Sequence, residues 1–253
     1  ANFSNQATIG RNITGYSDNF VTGFRQWWQT NVDIKQLEDA YNNSGHQNIT
    51  WNRKSADNGL PNYWNNPYFE RYQNYQNDSR NRFVGYANLT YKVAEWLSVT
   101  GKISTDTYAE LREERVAVGS VSKTFGINLL DETSGYQRYN GNFSEQNYDL
   151  LLNFKKNFGE DFNLTGIIGG TVKRNEFTSI TASTQGGLIV PGLYSLSNSI
   201  ATSPYPYERA QKLGVNSYYV SASLGYKDFL FVDGTARRNA FSNLRADDKS
   251  LPS

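Results

Sequence analysis

Cysteine and methionine are absent from this chain, and histidine occurs once in 253 residues. Without cysteine there is no disulfide framework, no thiol nucleophile and no cysteine-ligated metal. The single His46 lies in an Asn-rich stretch with no second histidine near it, which argues against a metal site or a catalytic triad. Neither sign of charge dominates: 25 Lys and Arg stand against 24 Asp and Glu, a net charge of +1. Such a balance supplies no general field to draw nucleic acid or an anionic surface. Apolar runs long enough for a transmembrane helix are missing too. That absence leaves a membrane barrel open, because each of its strands needs only about 10 alternating residues. There is no initiating methionine and no signal-peptide pattern, so Ala1 reads as the start of a fragment or of a processed chain.

What the chain does contain is uncharged polarity and rings. Mean hydropathy is −0.66 although only 19% of residues are charged, so Asn, Ser, Thr, Gln, Tyr and Gly supply the polarity. Aromatics make up 15%, too many for a disordered chain. Residues 1–79 carry no sustained alternation. Within them Ile34, Leu37 and Tyr41 fall at helical spacing and predict a short surface helix over 32–41. So long an irregular stretch makes best sense as an elaborated loop anchored on something rigid.

From residue 80 to 253 the pattern is that of strands, about six of them. Leu97, Val99, Gly101 and Ile103 oppose Ser98, Thr100, Lys102 and Ser104. Tyr148, Leu150, Leu152 and Phe154 oppose Asn147, Asp149, Asn153 and Lys155, and Phe162, Leu164, Gly166, Ile168 and Val172 follow suit. Tyr218, Val220, Ala222, Leu224 and Tyr226 repeat the design, as do Leu230, Val232, Gly234 and Ala236 after a turn at Lys227-Asp228. Short turns at 93–96, 157–161 and 227–228 alternate with long connections at 116–135, 179–214 and from 239 onward. Each short turn is bracketed by aromatics: Tyr91 and Trp96, Phe158 and Phe162, Tyr226 and Phe229. Outer-membrane barrels keep short turns on the periplasmic side, long loops outside, and aromatic rings at both interfaces. The alternative is a soluble or surface β-rich carbohydrate- or protein-binding domain, in which the apolar parity would face a second layer.

Several stretches resemble the SusC/RagA-type TonB-dependent outer-membrane transporters of Bacteroidetes. They are ITGYSDNFVTGFRQWWQTNVD (13–33), YWNNPYFERYQN (63–74), RFVGYANLTYKVAEWLSVTGKISTD (82–106), NYDLLLNFKKNF (147–158), GGLIVPGLYSLSNS (186–199) and YKDFLFVDGTAR (226–237). The likeness is spread over nearly the whole chain; it departs after Arg237, where Arg238, Asn239, Ala240, Phe241 and Ser242 replace the family's usual run. The resemblance implies an all-β fold, part of a large transmembrane antiparallel barrel of about 22 strands around a plug, with long extracellular loops and short periplasmic turns. It further implies location in the outer membrane of a Gram-negative bacterium and import of glycan or peptide oligomers. The implied partners are a SusD-like surface lipoprotein and a TonB complex, the latter contacted through a plug that this chain does not contain. No cofactor is implied.

Candidate residues fall into two groups. Lys102, Asp106, Asp149, Lys173, Asp233 and Arg237 lie on the polar parity and would face a lumen, both signs being present. Trp27, Trp28, Trp64, Tyr68, Tyr194, Tyr205 and Tyr207 lie in the loops, where they could stack on ligand or pack loops and lid together. The carboxylates of LREERV (111–116) and Asp247-Asp248 read as solvated loop charges, and no set of groups has the spacing of an enzyme site. Glycines in GIIGGTV (166–172) lie in a strand rather than before a helix, which suits close packing or curvature and excludes a phosphate loop.

Overall fold

A computed structural model describes residues 31–227 and 229–244 in full, and residues 2–9 and 250–252 by their backbone. The chain runs β1 (Asn2–Ile9), α1 (Ile34–Asn43), α2 (Pro67–Gln73), β2 (Gln76–Ala94), β3 (Leu97–Val116), the small strands β4 (Lys123–Phe125) and β5 (Leu130–Glu132), then β6 (Gly135–Phe158) and β7 (Phe162–Ser183). A turn of 3₁₀ helix at Leu196–Asn198 precedes β8 (Tyr207–Tyr226), β9 (Leu230–Phe241) and β10 (Ser250–Pro252). The principal sheet has the order β1-β2-β3-β6-β7-β8-β9-β10, and β4 pairs with β5 apart from it. Every pairing is antiparallel. Among the described residues this sheet stays open.

Because sequence neighbours pair in order, the turns β2–β3, β6–β7 and β8–β9 share one end of the sheet. The connections after β3 and β7 lie at the other. At the short end the chain reverses through Gly159 (φ 63°) and Lys227 (φ 50°), both left-handed. Lys227 also donates its backbone N–H to Asp161 O at 2.8 Å, joining two of the turns.

The strands are longer than alternation alone marks. β6 has 24 residues, or about 80 Å at the usual rise per residue, more than twice the roughly 10 residues a bilayer requires. The stretch 179–214, expected as one long connection, is a loop only over 184–206. Tyr207, expected in that loop, opens β8. Similarly β9 continues to Phe241, β10 pairs with it, and Asn2–Ile9 pairs with β2 where no strand was expected. These segments lack an apolar parity, so periodicity fails to mark them although the hydrogen-bond ladder persists.

The glycines of 166–172 do allow close packing. A Cβ on Gly166 would lie 2.5 Å from the ring of Phe154, its cross-strand partner, and one on Gly169 would lie 2.6 Å from the ring of Tyr219. Rings from neighbouring strands occupy the space the glycines leave.

Both helices belong to the segment between β1 and β2. Asp33 caps α1 by accepting from Lys35 N at 2.9 Å, and Leu37 and Tyr41 turn inward as their spacing predicts. The second helix begins with Asn66 as cap and Pro67 in its first turn, a start signal visible in the sequence but masked by the surrounding Asn and Tyr. Tyr41, Phe69 and Ala117 form a small buried cluster where these helices meet the connection after β3. No comparable layer covers either face of the sheet among the described residues.

Candidate functional site

Residues directly opposite one another on paired strands share a face. The register therefore assembles Tyr91, Val99, Leu152, Ile168, Val220 and Ala236 into one transverse row. Asn88, Lys102, Asp149, Thr171, Ser217 and Asn239 form a row on the opposite face. The apolar row belongs to a belt whose members stand open: Leu89 is 78% exposed, Leu150 58% and Val232 61%. On β7 the belt runs from Phe162 to Val172. Ten rises between these eleven residues, inclined as barrel strands are, give a height of about 25 Å, which matches the apolar band of an outer-membrane barrel. Phe158, Phe162, Tyr226 and Phe229 ring its lower edge, and Tyr148 and Tyr218 stand at its upper edge.

The polar face neutralises itself strand by strand. Arg82 grips Asp106 through two guanidinium nitrogens, and Lys173 reaches Glu145 at 2.7 Å. Thr171 donates to Asp149 at 2.6 Å, and Arg237 donates to Ser217 and Asn239. Lys102 lies 5.3 Å from the centre of the Tyr86 ring, while Asp233 stands exposed opposite Ser223. All six residues expected on the polar parity thus share one face. Their Arg and Glu partners carry the same alternation, a signal that could have found them.

Above the belt this face is denser. Glu110 is buried between Arg80 and Arg112; burial pushes its carboxyl up, but the hydrogen bonds from Arg112 and Arg80 outweigh that and hold it below the ordinary glutamate value. At the end of β3, on the opposite face, which carries the parity of the belt, Glu113 accepts from the Tyr136 hydroxyl and from Arg115. Burial again opposes ionisation and those bonds again prevail, so Glu113 is lowered. Burial, then the carboxylate, push Tyr136 up to about 12. Arg115 lies 4.7, 5.7 and 6.0 Å from the ring centres of Tyr75, Tyr194 and Tyr136. LREERV is therefore a strand end engaged in a network, not a run of solvated loop charges. Asp247-Asp248 lie outside the described residues.

Asparagine ties the cap together. Asn66 is fully buried, accepts from Tyr68 N, and donates to Leu37 O at 2.9 Å and Ile49 O at 2.7 Å. Asn48 donates to Asn65 and to Gly119 O, and Asn65 accepts from Val121 N. Asn74 accepts from Ala117 N at 2.7 Å and donates to Glu70 and Ser120. The helical segment and the connection after β3 are thus one hydrogen-bonded unit.

The loop aromatics divide accordingly. Trp27 and Trp28 lie outside the described residues. Tyr68 packs against the Tyr41–Phe69–Ala117 cluster, and Trp64 is half-buried, with its backbone held by Asn52. Tyr194 donates to Gln73 O at 3.5 Å and flanks Arg115, so it fastens the loop after β7 to the cap. Tyr205 and Tyr207 stand open at 95% and 61%. His46 adopts a left-handed φ of 67° and stacks on Tyr41, 4.8 Å between ring centres. Among the described residues no group of His, Asp and Glu could hold a metal ion.

No family model and no curated protein matches the chain. Solved structures do. The RagAB peptide transporter superposes with a TM-score of 0.67 at 13% identity, covering 81% of this chain and 22% of that one. The RagAB peptide importer gives 0.63 at 15% identity in its open-open state, covering 81% of this chain and 21% of that one. Its closed-closed state gives 0.59 at 15%, covering 71% and 19%. The chain spans about a fifth of the length of these structures. At such identities the likeness establishes the fold: an all-β antiparallel sheet matching part of a β-barrel transporter.

Proposed function

We propose that this chain forms part of the wall of an outer-membrane barrel that imports oligomeric nutrients, energised through TonB and closed outside by a SusD-like lipoprotein. The observation that carries the proposal is the belt: a continuous exposed apolar face, about as tall as a bilayer core, backed by a self-neutralised polar face. An open sheet cannot stand in lipid, so the proposal requires both edges of this one to be paired within a closed barrel. The peptide cargo named for the structural neighbours favours peptide over glycan. A wall carrying both signs suits the passage of mixed-charge or neutral oligomers better than selection of one ion. The proposed role is passage rather than turnover.

The test is fractionation followed by uptake. The protein should partition with outer membranes, and its deletion should abolish uptake of labelled oligopeptide in cells with intact TonB. Recovery as a soluble binder, with uptake unimpaired by deletion, would refute the reading.

A further inference from the structure

We propose that the outward face carries a binding site for the phosphate-bearing headgroup of a glycolipid in the outer leaflet. The inference rests on the membrane-wall reading above. A cavity of about 580 Å³ lies across β6, β7, β8 and the end of β9, and most of its lining, including Gln146, Arg174, Glu176, Lys212 and Asn216, has the parity of the apolar belt. The cavity therefore opens on the lipid side, not towards the polar face. Its height is set by register. Val172 and Asn216 form the last row of the belt, and Arg174 and Gly214 form the next row on that face, about 7 Å further along the strand. That is the level at which a barrel leaves hydrocarbon and meets headgroups.

Arg174 is held in place there. Gly214 has no side chain, and a Cβ on it would lie 3.3 Å from Arg174 Nη1, so the guanidinium lies across β8 through the gap. Its Nη1 donates to Asn216 Oδ1 at 3.0 Å and to Lys173 O at 2.8 Å. Among the described residues no carboxylate pairs with Arg174, whereas Arg80, Arg82 and Lys173 have such partners on neighbouring strands and Arg112 and Arg115 have them two residues away on their own strand. One carboxylate, Glu176, does line the cavity, but Lys212 holds it at 2.9 Å in a pair exposed on both sides. Arg238, opposite Tyr218, adds a further cation to this face at the belt's upper edge. An oriented guanidinium with a lysine nearby favours a phosphate monoester over a zwitterionic headgroup. The apolar belt directly below would take the acyl chains.

The protein, purified from its native membrane, is placed in nanodiscs of neutral lipid doped with a phosphorylated glycolipid or its dephosphorylated counterpart, and bound lipid is counted by native mass spectrometry. Retention of the phosphorylated form should exceed that of the other, and Arg174→Gln should lower it about fivefold. Lys227→Asn, which removes a cation at the opposite rim, should leave it unchanged. Equal retention of the two lipids, or no effect of Arg174→Gln in a protein that inserts normally, overturns the site and leaves the wall reading intact. Displacement by millimolar inorganic phosphate overturns the lipid assignment in favour of a soluble anion. A protein that never enters the bilayer overturns both.

Discussion

At the scale of single residues, which side of a strand a residue occupies decides what a change there does. Leu152 and Asn153 are neighbours in β6, yet one faces the belt and the other the polar wall. Arginine at 152 should cost about 2–4 kcal/mol of barrel stability, whereas Asn153→Arg should cost far less. Folding titrations in lipid bilayers measure both, and equal losses would mean that protein rather than lipid covers the belt. In the cap the sensitive residues are polar. Asn66→Ala leaves Leu37 O and Ile49 O buried without their donor and removes the cap of α2, a loss of about 1–3 kcal/mol. Limited proteolysis within residues 31–75 should accelerate while the strands stay protected; unchanged cleavage would show that the network is dispensable.

At the scale of elements, the junction between wall and cap is an acid–base device as well as a mechanical one. Glu113 in β3 lies below its unfolded value, so its stabilising contribution is present above that value and disappears as pH falls through the folded one. The window opens below about pH 4. Tyr136 in β6 is raised, so its contribution is present below the ordinary tyrosine range and is lost as pH rises through about 12. Protease protection of the cap, followed against pH, should fall at both extremes. Glu113→Gln should flatten the acid limb and Tyr136→Phe the alkaline one. A cap whose protection ignores pH in both variants and the parent would disconnect this pair from docking.

For the whole molecule, the division of labour between loops and wall can be drawn more finely than by composition. Tyr68 and Tyr194 are built into the cap, so Tyr68→Ala and Tyr194→Ala should loosen it and lower uptake of every oligomer alike. Tyr205 is open, so Tyr205→Ala should leave stability unchanged and alter preference among oligomers or association with the lid. Asp149→Asn, inside the wall, should alter neither, because Thr171 still finds an oxygen acceptor there. Competition uptake assays with paired peptides separate these outcomes. A change of preference in Asp149→Asn but not in Tyr205→Ala would move selectivity from the loops to the wall.

The sequence by itself determined the two faces, the short and long ends and the aromatic edges. Between Phe162 and Val172, and at matching heights on the other strands, one side is apolar and the other polar, and that division prints a period of two on the residues. Beyond the belt neither side is apolar. There Tyr207–Gly214 and the first third of β6 lose the period while keeping every ladder bond, so only pairing revealed those strands. The second helix, the asparagine network, and the roles of Tyr68 and Tyr194 were also decided by tertiary structure. Their partners lie up to 121 positions away in the chain, as with Tyr194 and Gln73, and no local pattern reports a hydrogen bond that distant neighbours complete. Arg174 makes the same point: in sequence it is one more charge beside Lys173, and only the gap at Gly214, forty positions on, turns its guanidinium along the outer face.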